Sequence, residues 1–214
     1  QTEVIGWQTA NAILQTAGRE IFDRLGAYLN LSFIEVTDPL DMNVIAIGVS
    51  NQTETVGFAY FPNPDFEVGM DVFISDDYVA PRFVGSETTN FDYEIMLHEI
   101  YHALGLKHPF EADGDNTNVL GSREDTSPYT VMSYNLDPST FAGDARVLDL
   151  MALTALYGVN PSYRLEDDTY EFSNSSGVFI VDGGGRDTVA YQGSQNVFVD
   201  LRSGGHSFIG SKCA

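Results

Sequence analysis

HEIYHALGLKHP, residues 98–109, is the stretch on which the reading of this chain turns. His98 and His102 are four residues apart. On a helix that spacing puts both imidazoles on one face, with Cβ atoms about 5–6 Å apart. One ion can then accept a nitrogen from each, at about 2.0–2.1 Å if it is zinc. Glu99 lies one step around the helix, badly placed to ligate in that plane and well placed to touch a water on the metal. Gly105 lets the helix end, because a residue without Cβ turns freely into the left-handed region. The turn can bring His108 back as a third ligand. Three neutral nitrogens and one open position describe a catalytic zinc site rather than a closed structural one. Three of the chain's four histidines lie in this stretch.

Downstream, Val131-Met132-Ser133-Tyr134 supplies the Met-turn that accompanies this extended histidine pattern in zinc proteases. Met132 is expected as a hydrophobic floor beneath the ligands, since a thioether fills irregular space without binding the metal. Tyr134, two residues on, can point its hydroxyl at the metal or at a developing oxyanion.

These residues resemble the serralysins, a branch of the metzincin metalloproteases. The likeness includes Pro109 directly after the third histidine and MSY at 132–134. It continues through LDLMALTALYGVN at 148–160, similar to the last helix of the family's catalytic domain, and reaches DGGGRDT at 182–188, similar to the start of its calcium-binding β-roll. The resemblance implies an α+β fold. Its catalytic part is zincin-like, with a twisted, mainly parallel sheet and an active-site helix, and a short β-rich tail follows. It implies a secreted, extracellular endopeptidase with one catalytic zinc on His98, His102 and His108, Glu99 as general base, and Tyr134 stabilising the oxyanion or ligating resting zinc. It also implies that polypeptide substrate lies extended along strand 55–61, the upper rim of the cleft, by β-augmentation. Two other classes stay open: a non-proteolytic, amidase-like zinc hydrolase, and a catalytically silent metal-stabilised binding module. The intact Glu99 weighs against the second, because a scaffold needs no base.

Composition fits. A formal net charge of −21, from 31 acids against 10 bases, argues against nucleic acid, whose phosphates would be repelled. No apolar run approaches membrane-spanning length. Cys213 is the single cysteine, so no internal disulfide can form. A secreted chain without disulfides needs another staple, and calcium can serve. The start at Gln1 shows no signal-peptide pattern. A monomer is expected.

Along the chain, Ile13, Leu14, Ala17, Ile21, Leu25 and Tyr28 recur at helical spacing, so residues 7–29 read as an amphipathic helix. Residues 33–36, 44–49, 55–61 and 71–74 read as strands, punctuated by Pro62, Asn63, Pro64 and Asp65. The active-site helix is expected over 89–105, with Thr88, Thr89 or Asn90 as cap. Residues 110–130 read as a polar loop, with Glu111 held in reserve as an alternative third ligand. A second helix is expected over 144–157, closed by Gly158. Beyond a boundary near 160, strand-like runs at 169–172, 178–181, 188–191 and 197–201 alternate with Gly, Ser and Asp. The division is therefore a catalytic domain over 1–160 and a β-rich tail over 161–214, with His206 on the surface.

The tail carries its own chemistry. Asp182-Gly183-Gly184-Gly185-Arg186-Asp187 offers carboxylates and glycine carbonyls, the oxygens calcium takes six to eight at a time. It half-matches the GGxGxD repeat. By resemblance it pairs with 165–169, where the carbonyls of Leu165, Asp167 and Thr169 join Asp182, Gly184, Gly185 and Asp187 around one or more calcium ions. A plain Gly-Asp hairpin is the alternative.

Overall fold

The computed structural model describes residues 4–37, 44–66, 68–77, 91–136, 143–174, 180–202, 205 and 207–210. The first helix, α1, spans Ala12–Tyr28. Asn11 caps it, its Oδ1 accepting from the backbone N–H of Ile13 and Leu14, each at 3.0 Å. Its buried face is Leu14, Ala17, Gly18, Ile21, Leu25 and Tyr28, the three-and-four spacing of an amphipathic helix. Each fully buried Leu or Ile there contributes about 1.5–3 kcal/mol, so Leu25→Ala should cost about 2–5 kcal/mol. The expected start at residue 7 is corrected: Gln8–Thr9 form a short strand, β1, and the Asn11 cap is what begins the helix.

The sheet contains β1, β2 (Ile47–Ser50), β3 (Gly57–Ala59) and β4 (Val72–Ser75), in the order β1-β2-β4-β3. Its pairings are mixed. β2 and β4 run parallel, while β1–β2 and β3–β4 are antiparallel. The expected mainly parallel sheet is therefore corrected among the described residues, because the chain reverses between β3 and β4 and β1 also enters antiparallel to β2. The expected strand over 33–36 does not form. Ile34 and Val36 point into solvent, Phe33 packs on Phe22, and Glu35 pairs with Arg19 at the surface.

Helix α2, Phe91–Ala103, is buried from Tyr93 onward. It packs between the sheet and α1, so both faces are covered and its sequence shows little polarity of face. The candidate caps Thr88, Thr89 and Asn90 lie outside the described residues. Helix α3 spans Val147–Tyr157. Asn160 then ties the chain back to α1: its N–H donates to Tyr28 O at 2.8 Å and its Nδ2 to Ala27 O at 2.9 Å.

After residue 160, β5 (Thr169–Ser173) pairs in parallel with β6 (Thr188–Gln192). Val197–Phe198 (β7) pairs antiparallel with Phe208–Ile209 (β8). The expected strand at 197–201 is thus shorter, and that at 178–181 falls partly outside the described residues. Cys213 and His206 lie outside them too. Tyr163 and Val181 pack against the main core.

Candidate metal centre and active site

The end of α2 explains how three histidines converge. Leu106 N donates to Tyr101 O at 2.9 Å and Gly105 N to His102 O at 2.8 Å. This is a Schellman closure, and Gly105 occupies its left-handed position at φ 95°. The reversal carries Leu106 O to within 2.6 Å of His102 Nδ1 and swings His108 toward the helix. His108 Nε2 then lies 3.2 Å from His98 Nε2 and 3.0 Å from His102 Nε2. Three nitrogens tetrahedrally arranged about zinc at about 2.0–2.1 Å would stand about 3.3 Å apart.

The outer nitrogens settle the tautomers. His98 Nδ1 faces Val131 O at 2.9 Å, His102 Nδ1 faces Leu106 O, and His108 Nδ1 faces Glu111 Oε2 at 3.1 Å. Carbonyl and carboxylate oxygens only accept, so each Nδ1 carries the proton and each Nε2 turns a lone pair inward. Holding a ligand's far nitrogen in this way is how metal sites orient imidazoles. Burial, then the neighbouring histidines, pushes His98 down to about 3. Burial pushes His102 down to about 4. Both are therefore neutral at pH 7, as ligation requires. Three ring nitrogens all within 4.8 Å of one another, with His108 Nε2 about 3 Å from the other two, can share one cation between them, so the donor set fits zinc. Glu111 sits behind His108 as its hydrogen-bond partner; it orients the third imidazole instead of replacing it.

Glu99 is buried, with Oε2 meeting no hydrogen-bond partner among the described residues. Burial pushes its carboxyl up to about 8. Met132 is buried, and the adjacent Val131 carbonyl is the acceptor for His98. Tyr134 is 63 % exposed, its ring 4.6 Å from that of His108 and 5.8 Å from that of His98. Partial burial, then the charges of Glu99 and Glu111, raise its phenol above the ordinary value.

The relatives of this chain agree with the site. It is 30 % identical to a serralysin of Proteus mirabilis over 87 % of this chain and 46 % of that protein. It is 29 % identical to the metallopeptidase AprA of Pseudomonas marginalis, over 75 % of this chain and 40 % of the relative. With a serralysin of Photorhabdus sp. it shares 26 % over 97 % of its own length and 49 % of the other. Over most of its length the chain is thus similar to serralysins. It spans about half the length of the curated relatives it matches. No family model matches it.

Sequence reasoning missed three supports of the site. Asp149 on α3 is 1 % exposed. It accepts from Thr130 Oγ1 at 2.5 Å, Val131 N at 2.9 Å and Arg146 N at 2.9 Å, so one carboxylate clamps the segment that holds His98. Its signal was a lone acid inside LDLMALTALYG. Gly57 on β3 lies over Glu99: a Cβ there would come within 2.9 Å of Glu99 Cγ. Lys107 Nζ donates to the carbonyls of His108, Glu111 and Asn118, fastening the loop beyond the third histidine. Nothing in the sequence marks the last two.

In the tail, carboxylate oxygens of Asp168, Asp182 and Asp187 lie within 4.8 Å of one another. Asp168 is an addition to the residues expected from sequence. Asp182 accepts from Gly184 N–H and Tyr170 O–H, the tyrosine first and the glycine second holding its carboxyl below the ordinary range. Asp187 accepts from Asp168 N at 3.0 Å, and Asp167 from Arg186 N at 2.8 Å. A Cβ on Gly183 would fall 2.0 Å from Tyr163 O, and one on Gly185 2.1 Å from Glu166 O. The glycines are thus what let 182–187 close onto 163–168. Leu165 is largely exposed, and Thr169 pairs with Thr188 in the β5–β6 sheet.

Proposed function

We propose that this chain is the catalytic part of a secreted zinc endopeptidase, with His98, His102 and His108 holding the ion. The observation that carries the proposal is the geometry of the imidazoles: three rings whose Nδ1 atoms each face an oxygen acceptor and whose Nε2 atoms converge, beside a buried carboxyl with an oxygen that meets no partner among the described residues. A zinc ion bound there supplies Lewis-acid polarisation of a carbonyl and lowers the pKa of water toward about 7. Glu99, at the next helical position, takes the proton from the attacking water and delivers it to the leaving amine. Its carboxyl is already pushed up by burial, which suits a group that must accept and then release a proton near neutral pH; the charge of a bound ion would draw it down again. Tyr134, ringed by His98, His108 and Phe110, donates its hydroxyl to the oxyanion. Met132 and Asp149 keep Val131, and through it His98, in place.

Substrate runs extended along β3. The tail binds calcium through Asp168, Asp182 and Asp187, with backbone carbonyls of Leu165, Asp167, Thr169, Gly184 and Gly185 completing the shell, and this staples the β-rich part after 160. No described helix is long and apolar enough to cross a membrane. The test is metal content together with casein hydrolysis before and after chelation, with Glu99→Ala alongside. The expected result is one zinc per chain, activity lost on chelation and restored by zinc, and a silent Glu99→Ala that keeps its zinc. Hydrolysis of small amides without casein cleavage would favour the amidase reading. Metal without either activity would favour the binding module.

A further inference from the structure

The register of β3 against β4 fixes which backbone groups face outward. Tyr60 N donates to Asp71 O and Ser75 N to Val56 O, and Phe58 stands opposite Phe73. In an antiparallel pair, hydrogen-bonded and non-hydrogen-bonded positions alternate. Residues 56, 58 and 60 therefore bond inward to β4, and the N–H and C=O groups of Gly57 and Ala59 point to the other edge. No described strand pairs with that edge, because β3 is last in the sheet order. Side chains alternate as well. Phe58 and Tyr60 join Phe73 and Phe66 in an aromatic cluster, with centroids 5.1 Å apart for Phe58–Phe73 and 5.3 Å for Tyr60–Phe66. Gly57 faces Glu99 instead, and Phe61 sets its ring edge-on to the His102 ring at 5.6 Å.

Where β3 ends, the chain opens a cleft of about 500 Å³ lined by Tyr60, Phe61, Pro62, Asn63 and Phe66. That size is within the range of small-ligand pockets, about 300–1,000 Å³. Backbone hydrogen bonds shape part of its rim. Phe66 N donates to Asn63 O and Gly69 N to Phe66 O. Asn63 Oδ1 accepts from Asp65 N at 3.0 Å. A Cβ on Gly69 would lie 2.5 Å from Asn63 O, so glycine is what allows this turn to close. Pro62 sits against the Gly105 turn. Phe61 is nevertheless 41 % exposed. Among the described residues no charged side chain lines the cleft, and the Asn63 amide oxygen is already engaged.

We infer that this aromatic cleft is a specificity subsite that takes one bulky apolar side chain of an extended polypeptide lying along β3. The inference rests on the endopeptidase reading and deepens it. The occupant follows from continuity: the cleft begins at Tyr60 and Phe61, directly after β3, and Phe61 stands against the His102 ring, so a peptide extended along Gly57 and Ala59 that continues beyond β3 runs toward it. The chemistry follows from the lining. An aromatic or branched aliphatic side chain loses water against three rings and a proline edge, whereas a carboxylate or ammonium would be desolvated with no charged partner among the described lining residues. The backbone bonds Phe66 N to Asn63 O and Gly69 N to Phe66 O hold part of this rim in place before a peptide arrives, which lowers the ordering cost of binding.

The experiment is a set of internally quenched peptides cleaved by the full chain. Each of the three positions on either side of the scissile bond is varied among Phe, Leu, Ala, Asp and Lys, and kcat/KM is read as a ratio to Ala. The inference expects one position, on one side only, at which Phe and Leu exceed Ala and Asp by about 10–100-fold, the range a single apolar pocket achieves. Phe66→Ala should cut that ratio at least fivefold while Phe66→Leu keeps most of it. Asn63→Asp, a surface change that preserves the acceptor for Asp65 N–H, should shift the same position toward Lys. Chelator-sensitive cleavage with flat ratios, or an undiminished ratio in both Phe66→Ala and Asn63→Asp, overturns the subsite and leaves the protease standing. Failure to cleave any peptide in a zinc-dependent way removes both.

Discussion

Gly57→Ala tests how closely the rim strand fits over the base. The added Cβ would stand 2.9 Å from Glu99 Cγ and 3.0 Å from its Oε1. Carbon atoms pack best at about 3.5–4.0 Å, so the strand or the Glu99 side chain must yield by roughly 0.6–1.1 Å at the carbon contact. Neither yields freely. β3 is hydrogen-bonded to β4 through Phe58 and Tyr60, and Glu99 is enclosed in a helix whose neighbours are all buried. A misplacement of about 1 Å at a reacting group costs about 10²-fold, so kcat should fall about 10- to 100-fold. Overpacking should add about 1–3 kcal/mol of destabilisation. Zinc should remain, because the three imidazoles and their Nδ1 acceptors do not touch residue 57. The assay is steady-state kinetics on a quenched peptide with metal analysis and thermal unfolding on the same preparation. A kcat within twofold of wild type, at full zinc occupancy, would refute the claim that β3 positions Glu99.

Four further outcomes follow from the same geometry. Glu99→Ala should lose about 10²–10⁴-fold in rate with zinc stoichiometry intact, checked by metal analysis. Tyr134→Phe should lower kcat more than it alters KM, since a hydrogen bond to the oxyanion acts in the transition state; a pure KM effect would assign the phenol to ground-state binding. Burial holds the Asp149 carboxyl up at about 6 against an ordinary 3.8. A raised value favours the folded state below about pH 3.8, and that contribution is lost as pH rises through about 6. Measured against the non-titrating Asp149→Asn, zinc-free wild type should therefore lose on the order of 2–3 kcal/mol of relative stability between pH 4 and 7 in urea unfolding, and a difference that grows with pH would contradict it. With zinc retained, calcium titrated to a hundredfold over its Kd should raise stability by about 2.7 kcal/mol, and Asp187→Ala should abolish the rise. An unchanged midpoint in wild type would leave 182–187 as a turn alone.

What the sequence made legible and what it did not divide along a physical line. The histidine stretch could be read because its chemistry is local. Ligand spacing follows from 3.6 residues per turn, and the reversal at Gly105 follows from the one residue type that enters the left-handed region without strain. The buried stripe of α1 was legible for the same reason, although its start was not: residues 7–11 have apolar content that a strand or a helix can use, and only the Asn11 side chain bonding to Ile13 and Leu14 decides between them. The sheet was harder. Each strand is two to four residues long, too short for a period to show parallel from antiparallel, and pairing is a fact about distant segments. The supports of the site were hidden by that same distance. Asp149 reads as an odd acid in an apolar helix until Thr130 and Val131 are brought beside it. Gly57 reads as a flexible residue until Glu99 is found beneath it. In each case the sequence displays the group that does the chemistry, while the group that holds it still becomes visible only when the fold closes. That asymmetry has a consequence for substitution. The ligands and the base announce their importance in any alignment of motifs, yet the geometry they need is set by residues such as Gly57, Lys107 and Asp149, at which a change that leaves every motif intact can still misplace the site.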